Sequence, residues 1–233
     1  MNVSRSLVQD PPVVAVIDEI AVRLRRFGVK FSRQSAPSLA RFAAMPPRER
    51  SATEGALMGY LRSMDVVLPL ASADKAEFER GMLRSFGDFH SLVIPEDFLR
   101  QIAADDVCEI YDVSNQMQTY RNFEFMRLCS YDLLTVVTTP LTQLFYREPK
   151  FNDRIRERSE EITFGAAGVL PWNVDAHMLV ERLGREKNVF NVTMGHAAPV
   201  FCGVTGKPVA WVSSLRVKPL GPCADHPGLA VPL

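Results

Sequence analysis

Four histidines and four cysteines are the residues of this chain best suited to covalent or metal chemistry: His90, His177, His196 and His226, and Cys108, Cys129, Cys202 and Cys223. An imidazole beside a thiol can raise its nucleophilicity, and His or Cys at close sequence spacing can hold zinc. Neither pattern is present in the linear sequence. No two cysteines stand at CxxC spacing, and no His lies near enough to complete a zinc set. A Cys–His nucleophile, with Cys202 near His196 or His177, would need the fold to bring the groups together. GxSxG, HExxH, P-loop and GxGxxG motifs are absent. The expectation is therefore a protein that binds rather than catalyses, with a small enzyme using His196 and Cys202 as the rival.

The binding candidates are of other types. His196 falls in the run Phe190, Val192, Met194, His196, Ala198, Val200, where alternation puts one imidazole on an otherwise apolar strand face, unless a bulge near Gly195 shifts the alternation and turns it to the opposite face. It could contact a ligand or respond to pH, or it could be a core histidine satisfied by a carbonyl. Trp211 shares a face with Leu215 on the following strand. Arg121 could pair with a carboxylate or phosphate, or form a surface ion pair. Tyr120, Phe123, Phe125 and Tyr131 could stack on a planar molecule or fill a core. The candidate ligand-binding set is thus His196, Met194, Val192, Trp211, Phe125, Tyr131 and Arg121.

These residues need elements to position them. Residues 13–27 carry Val13, Val16, Ile17, Ile20, Leu24 and Phe27 at helical spacing, with Gly28 as a stop. The spacing suits either a short coiled-coil seam or packing within one chain. Further helices are predicted over 36–45, 47–64, 74–86 and 95–103, so residues 1–104 read as a helical region, its first 12 residues a frayed start. Strand signals begin near Asp105-Asp106. They predict a hairpin over 108–113 and 117–121, turning at Ser114-Asn115, and later strands over 177–183, 189–201 and 208–217. Between the two groups, 130–146 reads as helix interrupted at Pro140, 152–161 as a charged helix, and 164–172 as a loop or irregular strand. Gly184 to Asn188 is read as a turn, and residues 219–233 as a Pro/Gly-rich tail.

Composition narrows the function classes. The chain has 233 residues, 47% hydrophobic and 23% charged, enough for a sizeable core. Lys+Arg and Asp+Glu both total 27, so no broad basic field exists for nucleic acid. No uninterrupted apolar run reaches membrane-spanning length, and MNVSRSLVQDPP lacks the apolar core of a signal peptide. No membrane insertion is expected, and the cytoplasm is the expected location.

Several of these residues recur in the order of a known family. Asp112 sits at the hairpin, Thr119-Tyr120-Arg121-Asn122 closes the second strand, and Phe125 and Leu128 follow on a helix. Ser130-Tyr131 stands where a Gly-Tyr turn is usual, before Asp132-Leu133-Leu134. Ala198-Pro199-Val200 and Gly206-Lys207-Pro208-Val209 mark the last two strands. The stretch 105–218 resembles a PAS domain in these motifs. The resemblance implies an α+β fold: a helical N-terminal region, then a five-stranded antiparallel sheet with flanking helices and a ligand cavity between the layers. It implies a sensory or regulatory protein that binds a small ligand or protein partner and signals through conformational change. A homodimer or a separate signalling protein would receive the signal. A ligand-free interaction scaffold is the alternative. Heme is not expected, because residues 123–161 contain no His and His177 alone lies just beyond. Photochemical flavin is not expected either, because Cys129 lacks the Asn-Cys-Arg context of the light-sensing branch.

Overall fold

The computed structural model describes residues 12–26, 29, 34–70, 74–114, 117–165, 168–183 and 187–226. The expected frayed start, the stripe residue Phe27, the stop Gly28, turn residues Asn115 and 184–186, and the tail beyond 226 lie outside the described residues.

Helix α1 spans Pro12–Arg25 and buries Val13, Ile17, Ile20 and Leu24 almost completely. It packs against α3 (Pro47–Val67), so the apolar stripe is used within the chain. Between them lies α2 (Ala36–Ala44). Ser35 caps it through a reciprocal pair: Ser38 N donates to Ser35 Oγ, and Ser35 N donates to Ser38 Oγ. Asp74 caps α4 (Lys75–His90), accepting from the amides of Ala76 and Glu77. This helix runs four residues past the expected end at Phe86. Gly87 does not break it. A side chain there would meet the Leu92 carbonyl at 3.0 Å, so glycine admits the next segment instead. Ser91, at φ 53°, supplies the left-handed cap. Strand β1 (Leu92–Val93) and helix α5 (Glu96–Arg100) follow.

The predicted hairpin forms as β2 (Val107–Asp112) and β3 (Gln118–Arg121). The expected helix over 130–146 does not form as one unit. The segment after β3 is α6 (Phe123–Leu128), α7 (Leu133–Val137), α8 (Leu141–Leu144) and the short strand β4 (Phe145–Tyr146). Asp132 starts α7 by accepting from Thr135 N at 2.7 Å. Pro140 starts α8, where its missing N–H does no harm. Helix α9 is longer than its charged core suggested, Pro149–Phe164. Then come β5 (Leu170–Pro171), β6 (His177–Glu181), β7 (Asn188–Cys202) and β8 (Pro208–Pro222). Strand β8 continues through residues 219–222, which the sequence assigned to the tail. Pairing of Pro219 with Phe190 and Gly221 with Val189 holds it in the sheet.

The fold is α+β around one antiparallel sheet. Its path is β3-β2-β8-β7-β6-β4, with β1 and β5 also on β7. The sheet therefore has eight strands among the described residues, not five. The five expected strands are its continuous centre. The additions β1, β4 and β5 are two residues each, too short for period-2 alternation to mark them in sequence.

Both faces of the sheet are covered. Cys108 and Ile110 of β2, with Ala198, Val200, Ala210 and Val212, pack against α1, α3 and α4 in one large core. Val107, Phe190, Val192 and Leu215 point the other way, toward Phe125, Tyr131, Val136, Leu144 and Phe145. A third cluster joins Ile155 and Ile162 of α9 to Trp172 and Ala197.

One irregularity decides between the regular strand and the bulge that the sequence left open. Met194 pairs with Leu215, but Ala197 pairs with Ser213, so β7 carries one extra residue there. The bulge at Gly195 and His196 inverts the alternation. Val192 and Met194 face one side, whereas Ala198 and Val200 face the N-terminal helices. No helix among the described residues is long and apolar enough to cross a membrane.

Candidate functional site

A cavity of about 620 Å³ lies between α9 and the sheet. Tyr111 of β2 and Trp211 of β8 form its floor, and their rings stack at 4.4 Å with an interplanar angle of 24°. Trp172 meets Trp211 edge-on at 5.4 Å. Leu141, Ile155 and Thr163 also line the cavity, as does Arg147, two residues before α9. Asp153, Arg156 and Glu160 line it from α9, with Arg156 within 4 Å of both acids. Arg158 ties α9 to β5, donating from Nε and Nη2 to the Pro171 carbonyl at 3.2 and 2.9 Å.

Arg147 is 7% exposed, and its buried Nε has no hydrogen-bond partner. Burial pulls its pKa down, against the upward pull of Tyr111 and Glu109. Unpaired buried cations are costly, so such a group calls for explanation.

Arg147 belongs to a buried polar cluster on the same side of the sheet. Side chains alternate along β2, so Glu109 and Tyr111 share a face. Tyr111 Oη donates to Glu109 Oε2 at 3.1 Å, and Gln118 Nε2 donates to the same oxygen at 2.6 Å. Burial raises the Glu109 pKa, while Arg121 and Arg147 pull it back. Arg121 is 3% exposed, and Nε, Nη1 and Nη2 all lack hydrogen-bond partners. Its guanidinium lies 3.5 Å from the Phe125 ring centroid. Two buried guanidinium groups thus act on one buried carboxylate. The other fully buried acid on this face, Glu181, has its oxygens occupied: it accepts from Ser130 N and Oγ at 2.7 Å each, and from Asn188 N and Nδ2 at 3.0 Å each.

His177 adds a neutral group. Its ring stacks on Phe151 at 4.6 Å, and Nδ1 bonds to the Asp175 carbonyl at 2.8 Å, which requires the proton on Nδ1. The buried Nε2 is then an acceptor with no partner. Burial, assisted by the Arg147 charge, lowers the pKa to about 4.

A further buried acid sits on the other face of the sheet. Glu79 of α4 accepts from Tyr120 Oη at 2.7 Å, and burial pushes its carboxyl up to about 8. Tyr120 also packs against Tyr60 and Phe86. This cluster joins α3 and α4 to β3.

The structure gathers part of the sequence-derived candidate set. Trp211 lines the cavity, whereas Arg121, stacked on Phe125, does not line it and acts electrostatically on the lining residue Tyr111. Arg121 is fully interior, not part of a surface ion pair. Tyr131 and Val192 are core: Tyr131 Oη donates to Leu144 O at 2.5 Å and accepts from Leu183 N at 3.0 Å. Met194 is half-buried at the join of two core clusters. His196 occupies the bulge opposite Pro171 and is not among the cavity-lining residues. Cys202 ends β7 opposite Leu92, six residues and roughly 20 Å of extended strand beyond His196. His177 pairs with Val192, further still along β7 from Cys202. Neither histidine therefore stands beside that thiol. Among the described residues, no group of three His, Cys, Asp or Glu side chains is placed to hold a metal.

Tyr111, Glu109, Gln118, Arg147 and Glu181 were missed in the sequence reading. For Glu109 a signal existed, a lone acid alternating with Val107 and Tyr111 in a strand buried along most of its length. Arg147 carries none, since Arg-Glu-Pro before a helix looks like an exposed junction. No protein-family model matches the chain, and no curated protein matches it significantly in sequence.

Proposed function

We propose that this chain is a sensory or regulatory protein whose PAS-like module, residues 105–218, binds a small molecule in the cavity between α9 and the sheet. The observation that carries this is the 620 Å³ cavity itself, floored by stacked aromatic rings and reached by a buried guanidinium with an unpartnered nitrogen. Its size and mixed lining suit a small-molecule site. A packed scaffold would have no need of such a space. The sheet supports the family reading in outline, opening with one hairpin and closing with another, with the connecting helices laid across one face.

Signal passage follows from strand geometry. Along β2, Glu109 and Tyr111 face the cavity side, while Cys108 and Ile110 pack on the N-terminal helices. A ligand that shifts β2 or β8 alters the packing of α1, α3 and α4, and so favours one of two arrangements. A homodimer or a separate signalling protein reads that change. Four free cysteines suit a cytoplasmic, reducing location.

The test is native mass spectrometry of the full chain after incubation with the small-molecule fraction of a cell extract, followed by hydrogen exchange. The expected result is a retained adduct and changed protection in α1 and α3. A bare polypeptide mass with unchanged exchange overturns the reading.

A further inference from the structure

We infer that the cavity ligand is an organic anion: a carboxylate that pairs with Arg147, joined to a flat apolar body that lies on Trp211 and Tyr111. This inference rests on the ligand-binding reading above and specifies its chemistry.

Three observations carry it. The first is the charge at the cavity. Of its two lining cations, Arg156 lies within 4 Å of Asp153 and Glu160, whereas no carboxylate among the described residues stands within 4 Å of Arg147. The second is hydrogen bonding. Arg147 Nε and all three Arg121 nitrogens are buried donors without acceptors. A carboxylate accepts two parallel N–H bonds from one guanidinium, matching the planar fork of arginine. The third is shape. Arg147 lines the same cavity as the Trp211 and Tyr111 rings, so an anion held at Arg147 places its remainder against aromatic faces. The acids Asp153 and Glu160 are positioned on α9 and are compensated by Arg156. They disfavour a second anionic group at that end, which argues for a monoanion with an uncharged tail.

The arrangement also explains the buried polar cluster. Glu109, held by Tyr111 and Gln118, supplies the negative charge that acts on both guanidinium groups when no ligand is present.

The test compares phenylacetate, cinnamate and indole-3-acetate with their primary amides, which match them in shape and lack the charge. Binding is followed by calorimetry and by tryptophan fluorescence, which reports on the adjoining pair Trp211 and Trp172. Inorganic phosphate is a separate arm. The expected result is that at least one carboxylate binds and its amide binds about tenfold more weakly or worse. Arg147→Gln should remove that difference while near-UV circular dichroism stays unchanged. If Arg147→Gln does not fold, Arg147→Lys serves in its place, keeping the charge but losing the fork, with a reduced preference expected. Amides binding as tightly as acids would overturn the anionic class and leave the cavity reading intact. Phosphate binding more tightly than every carboxylate would overturn the flat organic body. No binding by any acid up to roughly 5 mM would overturn the proposal, with the adduct measurement deciding separately whether the cavity takes a ligand at all.

Discussion

The guanidinium of Arg121 lies 3.5 Å from the centre of the Phe125 ring, with no hydrogen-bond acceptor on any of its three nitrogens. A cation on an aromatic face recovers some of the hydration energy lost on burial, but not all. Arg121 is also the leading counter-charge to the buried Glu109, so Arg121→Met should destabilise the ligand-free protein by about 3–5 kcal/mol, read as a lower urea midpoint at unchanged slope. The same variant should weaken binding of aryl carboxylates. A gain of stability instead would mean that burying the guanidinium costs more than its attraction to Glu109 returns.

His177 should make the fold sensitive to mild acid. Its folded pKa, about 4, lies below the ordinary value of 6.5. Between these values the unfolded chain binds the proton and the folded chain does not, so stability falls as pH drops from 6.5 toward 4. His177→Phe removes the titration and keeps a ring against Phe151. Its urea midpoint should depend less on pH than that of the wild type across this window. Parallel curves for the two proteins would show that another group governs acid sensitivity.

Glu79 should act at the opposite end of the scale. Burial raises its folded pKa to about 8 from 4.5. The folded state holds the proton after the unfolded state has released it, so stability declines as pH rises from 4.5 to 8 and levels off above. Glu79→Gln retains an acceptor for Tyr120 Oη and removes the charge. It should gain about 1–3 kcal/mol at pH 8 relative to the wild type and nothing near pH 4. Equal gains at both pH values would point to packing rather than ionisation.

Gly195 permits the β7 bulge. A Cβ at this position would meet Ser214 Oγ at 2.8 Å and the Ser214 carbonyl oxygen at 2.9 Å. The carbonyl belongs to the neighbouring strand and cannot swing aside. Gly195→Ala should cost about 1–3 kcal/mol, with a lower thermal midpoint. Weaker packing of Trp172 should follow, because Trp172 N donates to the Gly195 carbonyl at 3.0 Å. An unchanged melting curve would show that the strand can open there without loss.

The pattern of side chains alone was sufficient for the α1 stripe, the Ser35 cap, the β2–β3 hairpin and the long C-terminal strand pair, because each rests on contacts between residues near in sequence or on a simple period. The three two-residue strands were not legible, since their only reason for existing is a partner strand elsewhere. For His196 the sequence offered a regular strand or a bulge near Gly195 but could not decide between them, because the crowding that requires glycine comes from Ser214, 19 residues away. The interior charges show the same division. Arg121 could be named as an anion-binding candidate from its type, but Arg147 could not, because its burial depends on α9 folding over a sheet built mainly from later residues. Residue type and spacing set which chemistry this chain can offer. Tertiary packing decided which of those groups lost their water, and only a buried charge without a partner points to a ligand.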